Sequence, residues 1–150
     1  MGADESDVHV FTTQFFSRLE DKGAEAVSSW TSKKGINIFE KKFIFIPVNK
    51  DIHWSLFVIV NPGKIGNMYV EEDDKEEVEV PFMLFMDSLR AHKKGRMKKY
   101  ILEWLNLEAK RLGMFKQLHK GSPFHNSTMS VVDPSGTFCI CIYICCFINF

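Results

Sequence analysis

Three short apolar segments lie in the middle of the 150-residue chain, and they constrain its fold more than any other feature of the sequence. They span residues 43–48, 54–60 and 82–86, and they are rich in β-branched and aromatic residues. Because each is too short for a core helix, we predict three buried strands. Pro47 has no backbone N–H, so we expect the first strand to end there or to lie at a sheet edge.

Patterns typical of helices flank these segments. Residues 8–19 and 93–112 carry apolar side chains at the spacing of an amphipathic helix, and Glu108 falls within the apolar stripe of the second. Residues 113–136 are rich in Gly, Pro, Ser and Asn and are predicted to form a loop. Together these patterns predict an α+β fold, in which a small sheet is flanked by helices.

The composition is that of a globular protein with one domain. Hydrophobic residues make up 45% of the chain and charged residues 25%, which argues against disorder as the main state. Nineteen basic and nineteen acidic residues cancel, so no net field attracts nucleic acid or an anionic membrane. The acidic N-terminus lacks the apolar segment of a secretory signal. We expect the acidic residues 71–77 and the basic face of 93–112 to be solvated.

All four cysteines lie within the last twelve residues, at Cys139, Cys141, Cys145 and Cys146. A disulfide-stabilised secreted domain would distribute its cysteines over the chain, and a structural zinc site would space them in pairs. We therefore predict a reducing, intracellular compartment, with no metal and no cofactor. Zinc held by His119, His125 and these cysteines is the alternative. Residues 138–150 are almost wholly apolar but too few to span a bilayer, which takes about 20.

His53 and Asp87 stand at the ends of two predicted strands. We expect these strands to pair antiparallel, with Val60 opposite Val80 or Pro81. In that register the start of one strand meets the end of the other, so His53 and Asp87 become neighbours at one sheet edge.

A carboxylate beside an imidazole is what a nucleophilic hydrolase needs. The carboxylate fixes the imidazole tautomer, and the other ring nitrogen takes the proton of the nucleophile. The alternative is a strand-end His53 and a turn-forming Asp87, each satisfied by local bonds. By the same patterns His9 is expected on an exposed helix face and His92 in a loop.

Residues 30–31, 36–49, 53–56 and 86–89 resemble the SUMO-deconjugating ubiquitin-like-specific cysteine proteases, nearest the branch that trims poly-SUMO chains. The resemblance implies a papain-like cysteine-protease fold, which we expect to be incomplete at both ends. It also implies thiol hydrolysis at the C-terminal glycine of SUMO or a related modifier, in the nucleus or cytoplasm.

The resemblance further implies roles for three residues. His53 would be the general base and Asp87 the residue that orients it. Trp54 would cover the tunnel that holds the Gly-Gly tail of the modifier. The alternative for Trp54 is a core tryptophan on a buried strand.

The chain departs from the family pattern near its end. In the family, a Gln and then Asp-Cys-Gly at a helix start supply the oxyanion donor and the nucleophile. Residues 129–135 resemble the stretch just before that Gln, but no Asp-Cys-Gly follows, so the nucleophile is unknown. We expect residues 1–137 to be a partial catalytic domain and 138–150 a tail foreign to the family, for instance translated intron after Gly136. The alternatives are a catalytically inactive modifier-binding module and a truncated chain without a stable fold.

Overall fold

The computed structural model describes residues 5–69, 79–114 and 129–132. Within these residues five strands form one mixed sheet, in the order in which they occur along the chain. The strands are β1 (Val8–Val10), β2 (Phe43–Lys50), β3 (His53–Val60), β4 (Phe82–Met86) and β5 (Ser130–Val132). The helices are α1 (Thr13–Lys22), α2 (Ser29–Ser32) and α3 (Lys94–Arg111), with short 3-10 segments between elements. The predicted α+β architecture is confirmed.

The three predicted strands are present as β2, β3 and β4, which pair antiparallel with one another, while β1 and β5 pair parallel at the two edges. A two-residue turn at Asp51 and Ile52 joins β2 to β3. Both residues have positive φ, 53° and 61°, as the tight turn between right-handed twisted strands requires. The turn therefore places His53 at the first position of β3.

The sheet has two faces, because successive side chains of a strand point to opposite sides. On one face the main core packs against α1 and α3, and it includes Phe57 and Phe85. His53 and Ser55 lie four and two residues before Phe57, respectively, and share its face. A second apolar cluster, built on Leu56 and its neighbours, lies on the other face together with Trp54.

Helix α3 follows the predicted apolar stripe, and its one acidic member is buried as well. The Glu108 side chain is fully buried; its Oε2 accepts hydrogen bonds from the Thr31 hydroxyl at 2.9 Å and from Arg111 at 2.7 Å. A buried carboxylate needs such partners to offset its desolvation. These bonds tie α2 to α3.

Two element predictions are wrong. Residues 8–19 are not one helix, since Val8–Val10 form β1 and the helix begins only at Thr13. The β-branched segment instead pairs with β2, where Val8 lies opposite Phe43. Residues 113–136 are not all loop, since β5 pairs with β4.

Pro47 does not end its strand, because β2 continues to Lys50. The carbonyl of Phe45 accepts the N–H of Phe11, so Phe45 turns its backbone groups away from β3. Pro47, two residues on, turns the same way. Pro47 thus faces the side of β2 on which β1 lies, but β1 has already ended at Val10, opposite Phe45. The sheet therefore loses no hydrogen bond through the absent N–H of Pro47, which agrees with a local edge position.

Several predictions concern residues outside the described ones. They include the solvated acidic run 71–77, the histidines His119 and His125, the four cysteines and the tail 138–150. In the described part of the chain, no helix is long and apolar enough to cross a membrane.

Candidate active site

The pairing of β3 with β4 brings His53 and Asp87 together. The register places Val60 opposite Phe82, one or two residues beyond the predicted partners Pro81 and Val80. The predicted juxtaposition still holds, because His53 precedes Trp54 at the start of β3 and Asp87 directly follows β4. The Nε2–H of His53 donates to Oδ1 of Asp87 over 2.5 Å.

Asp87 is held by more than the histidine. The residue is only 1% exposed, and its Oδ2 accepts the backbone N–H of His92 at 2.8 Å. Its Oδ1 also accepts the backbone N–H of Leu89 at 3.1 Å, as in an Asx turn. Burial raises the pKa of Asp87, but the His92 N–H, the bond and charge of His53 and the Leu89 N–H together hold this pKa below its ordinary value. Asp87 is therefore ionised at neutral pH.

The ionised carboxylate determines which nitrogen of His53 acts as a base. A carboxylate only accepts hydrogen bonds, so Nε2 of His53 carries the proton in this pair. The lone pair of the neutral ring is then on Nδ1, which makes no hydrogen bond to another described residue. The His53 side chain is 12% exposed, so it is sheltered but reachable at the sheet edge. The pair can thus take a proton at Nδ1 and stabilise the resulting imidazolium.

His92 belongs to this site, although its sequence context predicted only a loop. Its Nδ1 lies 2.8 Å from the Ser55 hydroxyl and its Nε2 lies 3.1 Å from the Lys50 carbonyl. The rings of His92 and His53 are 4.8 Å apart between centroids. The one feature of the sequence that could have indicated this is that His92 lies five residues after Asp87, close enough for a short loop to bring the two together.

Trp54 is partly buried on the sheet face opposite to His53, where it packs against the Leu56 cluster. It is therefore neither a fully buried core residue nor a free surface residue. His9 is not on a helix face, since it lies in β1 and contacts Phe11 edge to face. Burial, followed by the charges of Lys41 and Lys34, lowers the pKa of His9.

One group of side chains among the described residues could hold a metal ion. Candidate ligand atoms of His53, Asp87 and His92 lie within 4.8 Å of one another. However, both carboxylate oxygens and both ring nitrogens of His92 already take part in hydrogen bonds, which a metal would have to displace. The described residues contain no cysteine, so the structure places no thiol next to His53.

Comparisons with known proteins identify the family of the chain. Residues 2–127 match the family described as "Ulp1 protease family, C-terminal catalytic domain". The probable ubiquitin-like-specific protease 2A of Arabidopsis thaliana is 34% identical over 114 residues, which are 68% of this chain and 14% of that protein. Human sentrin-specific protease 2 is 46% identical over 52 residues, which are 35% of this chain and 8% of that protein. The chain thus spans a small part of these relatives.

Solved structures show the same fold. The crystal structure of a de-sumoylating protease superposes with a TM-score of 0.63 at 20% identity, over 87% of this chain and 44% of that one. The Ulp1 protease domain in complex with Smt3, the yeast ortholog of SUMO, gives a TM-score of 0.54 at 18% identity, over 85% and 47%. Because the family model matches residues 2–127, well over half of the sequence, this chain belongs to the Ulp1 protease family.

Proposed function

We propose that this chain carries the base and the orienting carboxylate of a cysteine peptidase that cleaves after the C-terminal glycine of SUMO or a related modifier. The observation that carries the proposal is the 2.5 Å bond between His53 Nε2 and Asp87 Oδ1 at one edge of a Ulp1-type sheet. The names of the relatives and the Smt3 complex of a solved neighbour support the substrate class.

The chemistry follows from the free nitrogen. Nδ1 of His53 takes the proton of a thiol, and the thiolate attacks the glycine carbonyl carbon. The imidazolium then returns the proton to the departing lysine amine as the bond to glycine breaks. Water hydrolyses the thioester with His53 again as base, which restores the thiol. Asp87 stays ionised throughout and holds the ring in position.

The finer assignments belong to the same proposal. Trp54 would cover the Gly-Gly tail of the modifier, which its half-buried position next to His53 in the chain supports. The poly-SUMO-trimming branch, a nuclear or cytoplasmic site, and the division into residues 1–137 and 138–150 are likewise proposed. The thiol would come from outside the described residues.

A second candidate is a module that binds the modifier without cleaving it. It is favoured by the lack of an Asp-Cys-Gly motif in the chain. This candidate retains the sheet edge and Trp54 as a binding surface but assigns no turnover to His53.

The test is reaction of the purified 150-residue chain with SUMO that carries a C-terminal vinyl sulfone. A covalent adduct that mass spectrometry maps to one of the four cysteines would support peptidase activity of this chain and would contradict the proposed division at residue 137. Its formation should be abolished in His53→Gln and retained in His9→Gln, a matched change in β1.

The absence of an adduct from a folded chain would overturn the proposed peptidase activity. An adduct that forms equally fast in His53→Gln would reflect an unspecific thiol and would overturn it as well. Calorimetric titration with unmodified SUMO then decides the second candidate, since binding without an adduct supports a modifier-binding module.

A further inference from the structure

We propose that His92 is a positioning residue, which fastens the loop between β4 and α3 to the ends of β2 and β3 and thereby holds Asp87 against His53. This inference deepens the proposed function, because it names the residue that keeps the His–Asp pair in register. In this role His92 acts on the reaction only through Asp87 and His53.

The ring of His92 is hydrogen-bonded to β2 and to β3. A carbonyl oxygen only accepts hydrogen bonds, so the contact of Nε2 with the Lys50 carbonyl, at 3.1 Å, places the proton on Nε2. Nδ1 of the neutral ring is then an acceptor, and the Ser55 hydroxyl donates to it at 2.8 Å. Both ring nitrogens are thus used, one on β2 and one on β3.

The backbone of His92 completes the link to Asp87. Its N–H donates to Oδ2 of Asp87 at 2.8 Å, while His53 holds Oδ1 from the other side. The residue that fixes the carboxylate through its backbone is therefore itself fixed through its side chain. Movement of the His92 ring would move the N–H that helps to keep Asp87 ionised.

The segment between Asp87 and His92 is exposed to solvent. Ser88, Leu89 and Arg90 are exposed, and Arg90 adopts a positive φ of 52°. In contrast, Ser55 is fully buried on β3, so its hydroxyl depends on a partner such as His92. The bonds of Asp87 and His92 thus restrain the two ends of this exposed segment.

The first experiment measures the imidazole tautomers of the wild-type chain by ¹⁵N NMR, together with the titration of the Asp87 carboxyl carbon. We expect neutral His92 to carry its proton on Nε2. In His92→Phe, which keeps a ring but loses both nitrogens, the pKa of Asp87 should rise towards its ordinary value. His92→Gln, whose amide can still donate to the Lys50 carbonyl, should restore part of the shift, and His9→Phe should leave it unchanged.

The second experiment follows the vinyl sulfone reaction in the same variants. We expect His92→Phe to slow adduct formation about tenfold or more, because a small misplacement of a catalytic group costs that much. SUMO affinity should be unchanged. Partial rescue by His92→Gln separates positioning from a general loss of structure.

A proton on Nδ1 of neutral His92 would overturn the inference, as would an unchanged Asp87 titration in His92→Phe. If that variant does not fold, Ser55→Ala tests the same contact, and the wild-type tautomer needs no variant. If no chain forms an adduct, the proposed peptidase activity fails, while the tautomer and titration still decide the role of His92.

Discussion

Replacement of Asp87 by alanine tests how much the buried carboxylate contributes to the stability of the sheet edge. The substitution removes the acceptor of three hydrogen bonds, which come from the His53 ring and from the backbone N–H groups of Leu89 and His92. All three donors would lose their partner at once. The free energy of unfolding should fall accordingly.

The magnitude follows from the exposure of the donors. A donor left unsatisfied costs about 1–3 kcal/mol when water cannot reach it. His53 is 12% exposed and the loop residues border solvent, so water can replace part of each bond. The lower limit then applies to each of the three, and the total is about 3 kcal/mol. The free energy of unfolding of a domain is usually about 5–15 kcal/mol, so this loss would be a large share of it.

The assay is urea unfolding at neutral pH, followed by the fluorescence of tryptophans that include the fully buried Trp104. Asp87→Asn, which keeps one side-chain oxygen, should lose about half as much stability. Leu89→Ala is the control, because it removes a side chain of a residue that is 71% exposed in the same loop. An Asp87→Ala chain within about 0.5 kcal/mol of wild type would refute the reasoning, since surface changes alone have that size.

Three further predictions concern pH, the hairpin turn and the buried Glu108. Because the pKa of Asp87 lies below its ordinary 3.8, the stability that its carboxylate contributes is complete above that pH and is lost as the pH falls further. The difference in free energy of unfolding between wild type and Asp87→Ala should therefore narrow below pH 3.8, and a difference that widens there would contradict this. Ile52→Gly should raise the free energy of unfolding by about 0.5–1 kcal/mol, because a fully exposed β-branched residue is strained at φ 61°; a lower melting temperature would show that no strain is relieved. Glu108→Ala should cost about 2 kcal/mol in urea unfolding, since Thr31 and the partly exposed Arg111 keep only their longer bonds to the carbonyls of Ser28 and Ile36. Lys22→Ala, in an exposed ion pair, should cost almost nothing, and equal losses would disprove the distinction.

The sequence was informative where one local signal sufficed. The apolar segments predicted β2, β3 and β4 because buried strands need continuous β-forming residues. The prediction that His53 lies next to Asp87 was correct although the predicted register was wrong by one or two residues. The reason is that His53 stands at the start of one paired strand and Asp87 at the end of the other.

The sequence misled where the structure depends on distant partners. Val8–Val10 and β5 have three residues each, too few to show a periodicity, and they become strands only by pairing with β2 and β4. The role of His92 was not predicted for the same reason, because its partners Lys50 and Ser55 lie about forty residues earlier in the chain.

The tautomer of His53 is the most direct test of the proposed active site. In a long-range ¹H–¹⁵N spectrum of the wild-type chain, above the pH at which the imidazole loses its charge, the neutral ring should carry its proton on Nε2. In Asp87→Asn this preference should weaken, since the amide no longer accepts with a full charge. A neutral ring protonated on Nδ1 would leave no base facing the thiol and would contradict the assignment of His53.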